Sequence, residues 1–454
     1  MHPLAVRYAT HPYFQWRIGS RVGPRLAEME SSQWLSPDEL AARQWRKVRV
    51  LLDHAAGGVP FYRRLFRELG ATPEDIRTPE DLQALPVLSK QIIRERQQEL
   101  LAAGNFRLMR RTTSGSTGIP MVSFTDFGCR DWTLAAIRRE RRWWGIDVGD
   151  RDARLTTARR SRRDWLRRYY LLNQAEFRCV ELSAGAMTHL YQELARFRPA
   201  VLRAASSTTL AHFARFVLEQ RPGQKRVRPH VIFCTGEVLY PHQRELIAQA
   251  FGSPVVNDYG TTENGLIAGE CPAGRMHINV ENHLLEFRPV PGGAGEVCEI
   301  LLTDLNNWGM PFIRYAVGDL GVAVAERCPC GRGLPLMAVR GGRTSDLAVL
   351  PDGGLVDNAV FCEIFERIGV DRIRQYRIVQ EAVDRFTVLV AATDEETVRT
   401  RIVGGFRAIL GDGAQLTIEF VSDIPREASG KLRHFVSNVA RPAAATPAGA
   451  ARSS

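Results

Sequence analysis

The sequence predicts an α/β protein: a large N-terminal domain of mixed sheets and helices, followed by a small α+β C-terminal domain. Three observations carry that prediction. Between residues 122 and 320, helical segments alternate with short β-branched runs that end in Ser, Gly or Asp, the pattern of buried strands in an α/β sheet. The run GEVCEILLTDL (295–305) alternates apolar and polar residues, as an antiparallel strand does. Around RGGRTSD (340–346) the texture changes to a short series of single helices and strands.

In chain order, residues 36–70 read as helical. Ser36 is a ready N-cap, Pro37 suits the first helical position, and Asp38 and Glu39 favour the first turn. Leu40, Trp45, Val48, Leu51 and Leu52 fall on one helical face. Residues 80–102 predict two short capped helices around Pro86. AVLRAAS (200–206), HVIFCTGE (230–237) and PVVNDYG (254–260) are the buried strands. The C-terminal unit reads as DLAVLPDGGLV, a helix at 357–368, strands in QYRIVQ and RFTVLVAA, a helix at 395–410 and a strand in LTIEFV. These elements set domains at 1–343 and 346–437. The Ala/Pro/Ser-rich stretch 438–454 has no apolar period and reads as a disordered tail.

The composition is that of a globular protein: 44% of the 454 residues are hydrophobic and 24% charged. No run approaches the ~18 apolar residues of a membrane span, and the N-terminus lacks the apolar stretch of a signal peptide. A cytoplasmic protein without a membrane span is expected. The net charge of +11 is written almost entirely in arginine, since the only lysines are Lys47, Lys90, Lys225 and Lys431. A retained lysine in such a chain is a candidate for a role that needs a compact point charge. Cys129, Cys179, Cys234, Cys298 and Cys362 sit among apolar or mixed neighbours and read as buried small hydrophobes.

Four segments carry chemistry. Thr112-Thr113-Ser114-Gly115-Ser116-Thr117-Gly118-Ile119-Pro120 combines two glycines with five hydroxyl residues, a loop able to wrap an anion, although it is not a Walker A sequence. Asn257-Asp258-Tyr259-Gly260-Thr261-Thr262-Glu263 places hydroxyls and a carboxylate at a strand end, a pattern suited to phosphate and Mg²⁺. Arg314-Tyr315-Ala316-Val317-Gly318-Asp319-Leu320 sets a carboxylate beside a glycine, suited to a ribose diol. Ile424-Pro425-Arg426-Glu427-Ala428-Ser429-Gly430-Lys431-Leu432-Arg433 is a polar loop holding one of the four lysines. Each segment alone also fits an ordinary turn.

Taken together, in this order and spacing, they resemble the adenylate-forming superfamily of acyl-CoA synthetases. TTSGSTGIP is similar to its phosphate loop, NDYGTTE to its Y-G-x-T-E motif and RYAVGDL to its aspartate motif. GGRTSDLAVLPDGGLV is similar to its hinge region, and PREASGKLR to its catalytic-lysine motif. The opening WLSPDEL…VPFYRRLF, the LPVLSK segment, the MPFIRYAVGDL context and CPCGR resemble the phenylacetate–CoA ligase branch, with its CapK-like and coenzyme F390 synthetase-like members. The resemblance spans about residues 36–437.

The resemblance implies an adenylate-forming fold and a two-step reaction with ATP, Mg²⁺ and coenzyme A. An aryl or acyl carboxylate attacks the α-phosphate, and a thiol then displaces AMP. Thr113, Ser114, Gly115, Ser116, Thr117 and Gly118 would hold the β/γ-phosphates. Thr262 would contact phosphate and Glu263 would hold Mg²⁺. Gly236 and Glu237 would lie on the adenine side, and Asp258, Tyr259, Gly260 and Thr261 would complete the nucleotide site. Asp319, assisted by Arg343, would accept from the ribose hydroxyls. Lys431 would bridge carboxylate and α-phosphate as the catalytic residue. Ser206–Leu210, Thr235–Tyr240 and Tyr259 would line the acyl pocket. Two positions depart from the pattern: Ile119 stands where a lysine is common, and the hinge aligns with Ser345, next to Asp346.

Cys271, His277, Cys328 and Cys330 form a separate constellation, with three thiolates and an imidazole. A closed Cys₃His zinc site and a set of free thiols both fit, and the similar clusters of related chains favour a structural Zn²⁺. The arginine-dense stretch 138–168 reads either as a solvated face or as a docking patch for coenzyme A phosphates or an acyl carrier protein; no nucleic-acid motif accompanies it. The acceptor thus stays open between coenzyme A, a carrier protein and an amine. A non-catalytic nucleotide-binding scaffold is the alternative of another class.

Overall fold

The computed structural model describes residues 1–112, 121–156, 161–179, 183–220, 226–290, 298–343, 348–350, 355–356, 359–368, 372–411, 413–425 and 434–439. The chain is an α/β protein with a large N-terminal part and a smaller C-terminal part. An 11-stranded sheet runs through the large part in the order His283–Pro289, Cys298–Asp304, Tyr315–Val324, Leu336–Arg343, Met276–Ile278, Gly265–Glu270, Val255–Thr261, Val231–Thr235, Val201–Ala204, Asp152–Thr156, Gln174–Arg178. The last five strands pair in parallel. From Val255–Thr261 onward in the other direction every pairing is antiparallel. The Val255–Thr261 strand is therefore where the sheet changes sense. Its parallel neighbour Val231–Thr235 is apolar and buried along almost its whole length, as a strand covered on both faces is. A core cluster around Phe213, Ile232 and Phe251 underlies the parallel half, and one around Leu52, Tyr62, Phe312 and Tyr315 underlies the antiparallel half.

The expected strands appear as Val201–Ala204, Val231–Thr235, Val255–Thr261 and Cys298–Asp304. The 36–70 region splits into helices Pro37–Gly58 and Pro60–Leu69, because Val59 is extended ahead of Pro60. Ser36 and Glu39 close a reciprocal capping box on the first. The 80–102 region holds only a short 3₁₀ turn, Asp81–Ala84, and the helix Lys90–Glu95 capped by Ser89. Two N-terminal helical segments, residues 3–17 and Val22–Ser32, were not expected from the sequence.

Among the arginines of 138–142 only Arg142 is exposed. Helix Phe127–Trp143 turns Arg139 fully inward. There it donates to Glu281 (2.6 and 3.2 Å), the Asn279 side chain (2.7 Å) and the Met29 carbonyl (3.0 Å). Arg141 pairs with Asp152 (3.1 Å), and Arg142 with Glu30 (2.8 Å) and Asp147 (3.2 Å).

In the C-terminal part four strands order as Gln415–Phe420, Arg385–Ala392, Ile373–Ala382, Phe435–Ser437. Helices Ala359–Ile368 and Glu395–Leu410 supply Phe361, Phe365 and Phe406 to a core that also contains Phe386 and Phe435. Tyr240 and Val238, from the large part, pack into this same core. Phe435–Ser437, parallel to Ile373–Ala382, was not expected from the sequence; three residues are too few to show a period.

Candidate active site

The turn 262–264 joins Val255–Thr261 to Gly265–Glu270 at the edge where the sheet changes sense. Open α/β sheets bind ligands at such switch points. Gly260 is obligatory here, because a Cβ at this position would collide with the Gly265 carbonyl. Glu263 is buried and accepts from the Tyr315 hydroxyl (3.1 Å). Four residues further along the same strand, Asp319 accepts from the Tyr259 hydroxyl (3.1 Å). The strand bulges between Tyr315 and Asp319, with Gly318 at φ +88°, and the two hydrogen bonds turn both residues toward the Val255–Thr261 strand and its turn. The two carboxylates are thereby tied into one wall by two tyrosines. Thr125 donates to the Glu263 carbonyl (3.4 Å), which brings strand Val122–Asp126 against the same turn. That strand pairs with Leu108–Thr112, Thr112 opposite Val122. Thr261 and Asn264 close the turn through the Asn264 amide (3.0 Å), and Thr262 is exposed. Arg343 lies opposite Asp319 in strand register.

Thr113, Ser114, Gly115, Ser116, Thr117, Gly118 and Ile119 lie outside the described residues, as do Ser345, Asp346 and Lys431.

Two expected nucleotide contacts sit differently. Asp258 points to the sheet face opposite Tyr259, as strand alternation requires, and there meets Glu140. Burial pushes the Asp258 carboxyl up to about 6 despite Arg141 and Arg203 nearby. Burial and the Asp258 charge hold Glu140 well above the usual carboxylate range. The pair belongs to the packing beneath the sheet, with Glu270 beside it. Its sign is the reverse of a salt-bridged aspartate: the folded state holds the proton more tightly, so its stabilisation is complete below about pH 4 and is lost as pH rises through about 6. Thermal melts of Asp258→Asn should show a flatter profile over that window than the parent; an unchanged slope would assign the proton elsewhere.

Glu237 also differs. Its Oε2 accepts from Ser206 Oγ (2.8 Å) and the Thr208 amide (3.1 Å), so it caps the helix Ser207–Gln220. Only Oε1, buried and without a hydrogen-bond partner among the described residues, remains for a ligand donor. Gly236, at φ +81°, makes the bend that presents it.

Tyr315 carries no sequence mark of its role, because the strand is irregular between it and Asp319. Sequence reasoning also missed the support under the Glu263 turn, where His283 donates to the Asn264 carbonyl (3.1 Å) and Asn264 donates to Asp304 (3.3 Å).

Cys271, His277, Cys328 and Cys330 converge with all ligand atoms within 4.8 Å of one another. Cys271 and Cys328 sulfurs are 3.6 Å apart, and Cys330 Sγ lies 3.3 Å from His277 Nε2. A tetrahedron with zinc–sulfur arms of about 2.3 Å has edges of about 3.8 Å, which these separations approach. His277 Nδ1 donates to the Leu334 carbonyl (3.1 Å), which fixes the tautomer that turns Nε2 toward the thiols. The donor set fits a zinc ion.

The C-terminal residues 349–438 match the model of the CapK C-terminal domain. Protein CapK of Staphylococcus aureus is 22% identical over 389 residues, covering 84% of this chain and 85% of that protein. The phenylacetate-coenzyme A ligase of Thermus thermophilus is 26% identical over 337 residues, 70% of this chain and 73% of that one. Over most of its length the chain is thus similar to protein CapK and to phenylacetate-coenzyme A ligases. Among solved structures, 2-hydroxyisobutyryl-CoA ligase in its postadenylation state, in complex with R3-HIB-AMP, superposes with a TM-score of 0.71 at 20% identity. That match covers 88% of this chain and 91% of that one. The same ligase in its thioesterification state gives 0.57. Both share this chain's fold.

Proposed function

We propose that this protein is an AMP-forming acid–thiol ligase that adenylates an aryl or acyl carboxylic acid and passes it to coenzyme A. The observation that carries this reading is the wall formed by Glu263, Tyr315, Tyr259 and Asp319 at the point where the sheet changes sense. Asp319 accepts from the ribose hydroxyls of ATP while Tyr259 holds its other side. Glu263 is the carboxylate for Mg²⁺, which would neutralise phosphate charge when bound. The Tyr315 hydroxyl fixes that carboxylate. Thr262, exposed beside it, contacts phosphate. The segment 113–118 receives the β/γ-phosphates, and Lys431 neutralises the charge that develops between carboxylate and α-phosphate. With the hinge at Ser345–Asp346, the C-terminal domain moves between the two half-reactions.

Pyrophosphate release with ATP, Mg²⁺ and a panel of aryl and fatty acids, with and without coenzyme A, tests this. Acid-dependent release accelerated by coenzyme A is expected. Transfer to a phosphopantetheinyl protein with no response to free coenzyme A would move the acceptor to a carrier protein. Lys431→Ala is expected to lower release at least about 100-fold; wild-type release in that variant would remove the lysine from the mechanism.

The Cys271–His277–Cys328–Cys330 cluster is assigned to a structural zinc, with every ligand from protein and none left for chemistry. Elemental analysis of the purified chain should find about one zinc per molecule, lost together with thermal stability in Cys271→Ser. Protein that is fully folded without metal would favour free thiols.

A further inference from the structure

The N-terminal helical segment, residues 3–17, is held to the body by one side only. Arg7 donates to the Val148 carbonyl (3.0 Å), Thr10 to the Leu171 carbonyl (2.7 Å), and Arg138 to His11 (2.6 Å). Val6 is fully buried. The terminal amine donates to the Asn173 side chain (3.1 Å). The opposite side is apolar and points away from the protein: Leu4 is 52% exposed, Tyr8 73%, Tyr13 52% and Trp16 77%. Leu4, Tyr8, Pro12 and Trp16 recur at i, i+4, and the Tyr13 ring lies 6.3 Å from that of Trp16. A large apolar stripe on a firmly docked helix needs a partner.

The stripe continues onto a second helix. The Thr10 bond reaches the end of Arg162–Leu171, and the Arg167 guanidinium lies 5.6 Å from the Phe14 ring. That helix exposes Trp165, Leu166 and Tyr170, the last by 58%. Arginine surrounds both. Arg17 and Arg21 are exposed beside the first segment, while Arg7 pairs with Asp147 (3.6 Å) and Arg25 with Glu28 (3.7 Å). Arg162 and Arg163 are exposed, and the Asp164 carboxylate between them and Arg168 is engaged by Arg168 (3.1 Å) and by Arg167.

We propose that this face binds an anionic lipid surface, with Tyr8, Tyr13 and Trp16 at headgroup depth and the flanking arginines on lipid phosphates. Trp and Tyr have an apolar body with a polar tip, which suits the boundary between headgroup and acyl chain, and arginine stems snorkel beside them. An acidic protein would satisfy the arginines but would set its carboxylates against an uncharged stripe. A two-fold pairing with a second copy would bring like-charged arginines together. No helix among the described residues is long and apolar enough to cross a membrane, so the attachment is peripheral.

Flotation of the full chain tests this, using vesicles of phosphatidylcholine alone and vesicles with about one-third phosphatidylglycerol. The chain is expected to float with the anionic vesicles, to stay behind with the neutral ones, and to be released at about 1 M salt. Combined Tyr8→Ser, Tyr13→Ser and Trp16→Ser should lower the bound fraction about tenfold. Arg162→Glu with Arg163→Glu should do the same, while the melting temperature and pyrophosphate release stay at the parent value in both. No flotation with either vesicle would overturn the proposal. So would variants that float like the parent. Loss of a concentration-dependent dimer, or of carrier-protein binding, in a parent that does not float would assign the face to a protein partner instead.

Discussion

Glu263→Gln is expected to lower pyrophosphate release by about 10²–10³-fold, the cost of removing one preorganised electrostatic group from a phosphate-transfer site. The substitution is nearly isosteric. Glutamine's carbonyl oxygen can still accept the Tyr315 hydroxyl (3.1 Å in the parent), so the turn keeps its shape while the charge is lost. The melting temperature should therefore move little, which separates a chemical defect from a structural one. Tyr315→Phe provides the complementary test: it keeps the carboxylate charge and removes its anchor. Its effect should be smaller, about tenfold, and part of it should be recovered at raised Mg²⁺. If Glu263→Gln releases pyrophosphate at the parent rate, Glu263 is not the metal carboxylate and the proposed reading of the wall fails.

Arg139→Ala should destabilise the large domain by about 3–5 kcal/mol, measured as a fall in the denaturant midpoint. Arg139 is the largest fully buried side chain, and its guanidinium is shared among Glu281, Asn279 and Met29. Burial alone would raise the Glu281 carboxyl, but Arg139 and the Ser32 hydroxyl (2.6 Å) hold it below its usual range. Truncating the arginine leaves that carboxylate buried without its counter-charge. Replacing both partners by apolar residues, Arg139→Met with Glu281→Leu, should cost much less than the sum of the single changes. Additive losses would mean that the two groups do not act as a pair. Because Glu281 is held low in the folded state, this contribution is present above the ordinary carboxylate range and fades as pH falls through the folded value.

The strand that carries Tyr259 was readable because burial on a sheet imposes a short apolar run ending at a polar turn, whereas Tyr315–Val324, broken by Gly318, was not expected as a strand. Side-chain direction was less readable. Asp258 and Tyr259 are neighbours in sequence, and only the paired strands determine which of them meets Asp319 and which meets Glu140. Glu237 reads as a nucleotide contact, yet the amide it caps belongs to a helix that begins 30 residues earlier in the chain, a long-range pairing no local pattern shows. The inward turn of Arg139 was likewise hidden. Five charged residues in succession look solvated until Glu281, far along the chain, supplies the partner. The cysteine and histidine cluster is the opposite case. Its residue types are unusual enough to stand out even with halves that are 57 positions apart at Cys271 and Cys328.

Residues 235–240 touch two bodies at once. Glu237 caps the helix that would line the acyl pocket, while Val238 and Tyr240 complete the C-terminal core against Phe365 and Tyr376. Tyr240 stacks on His242 (5.8 Å) and meets His434 edge-on (5.9 Å). Moving the C-terminal domain away would return much of this tyrosine to water, about 1.5–3 kcal/mol for a side chain of that size. Such a bias corresponds to roughly a tenfold to hundredfold preference for the docked posture. Reciprocity then follows. Whatever displaces the 235–240 strip on the pocket side alters the undocking equilibrium by the same free energy with which undocking alters affinity at the pocket. In the proposed reaction, arrival of the acid and release of the domain would thus be thermodynamically linked through a single short stretch of backbone.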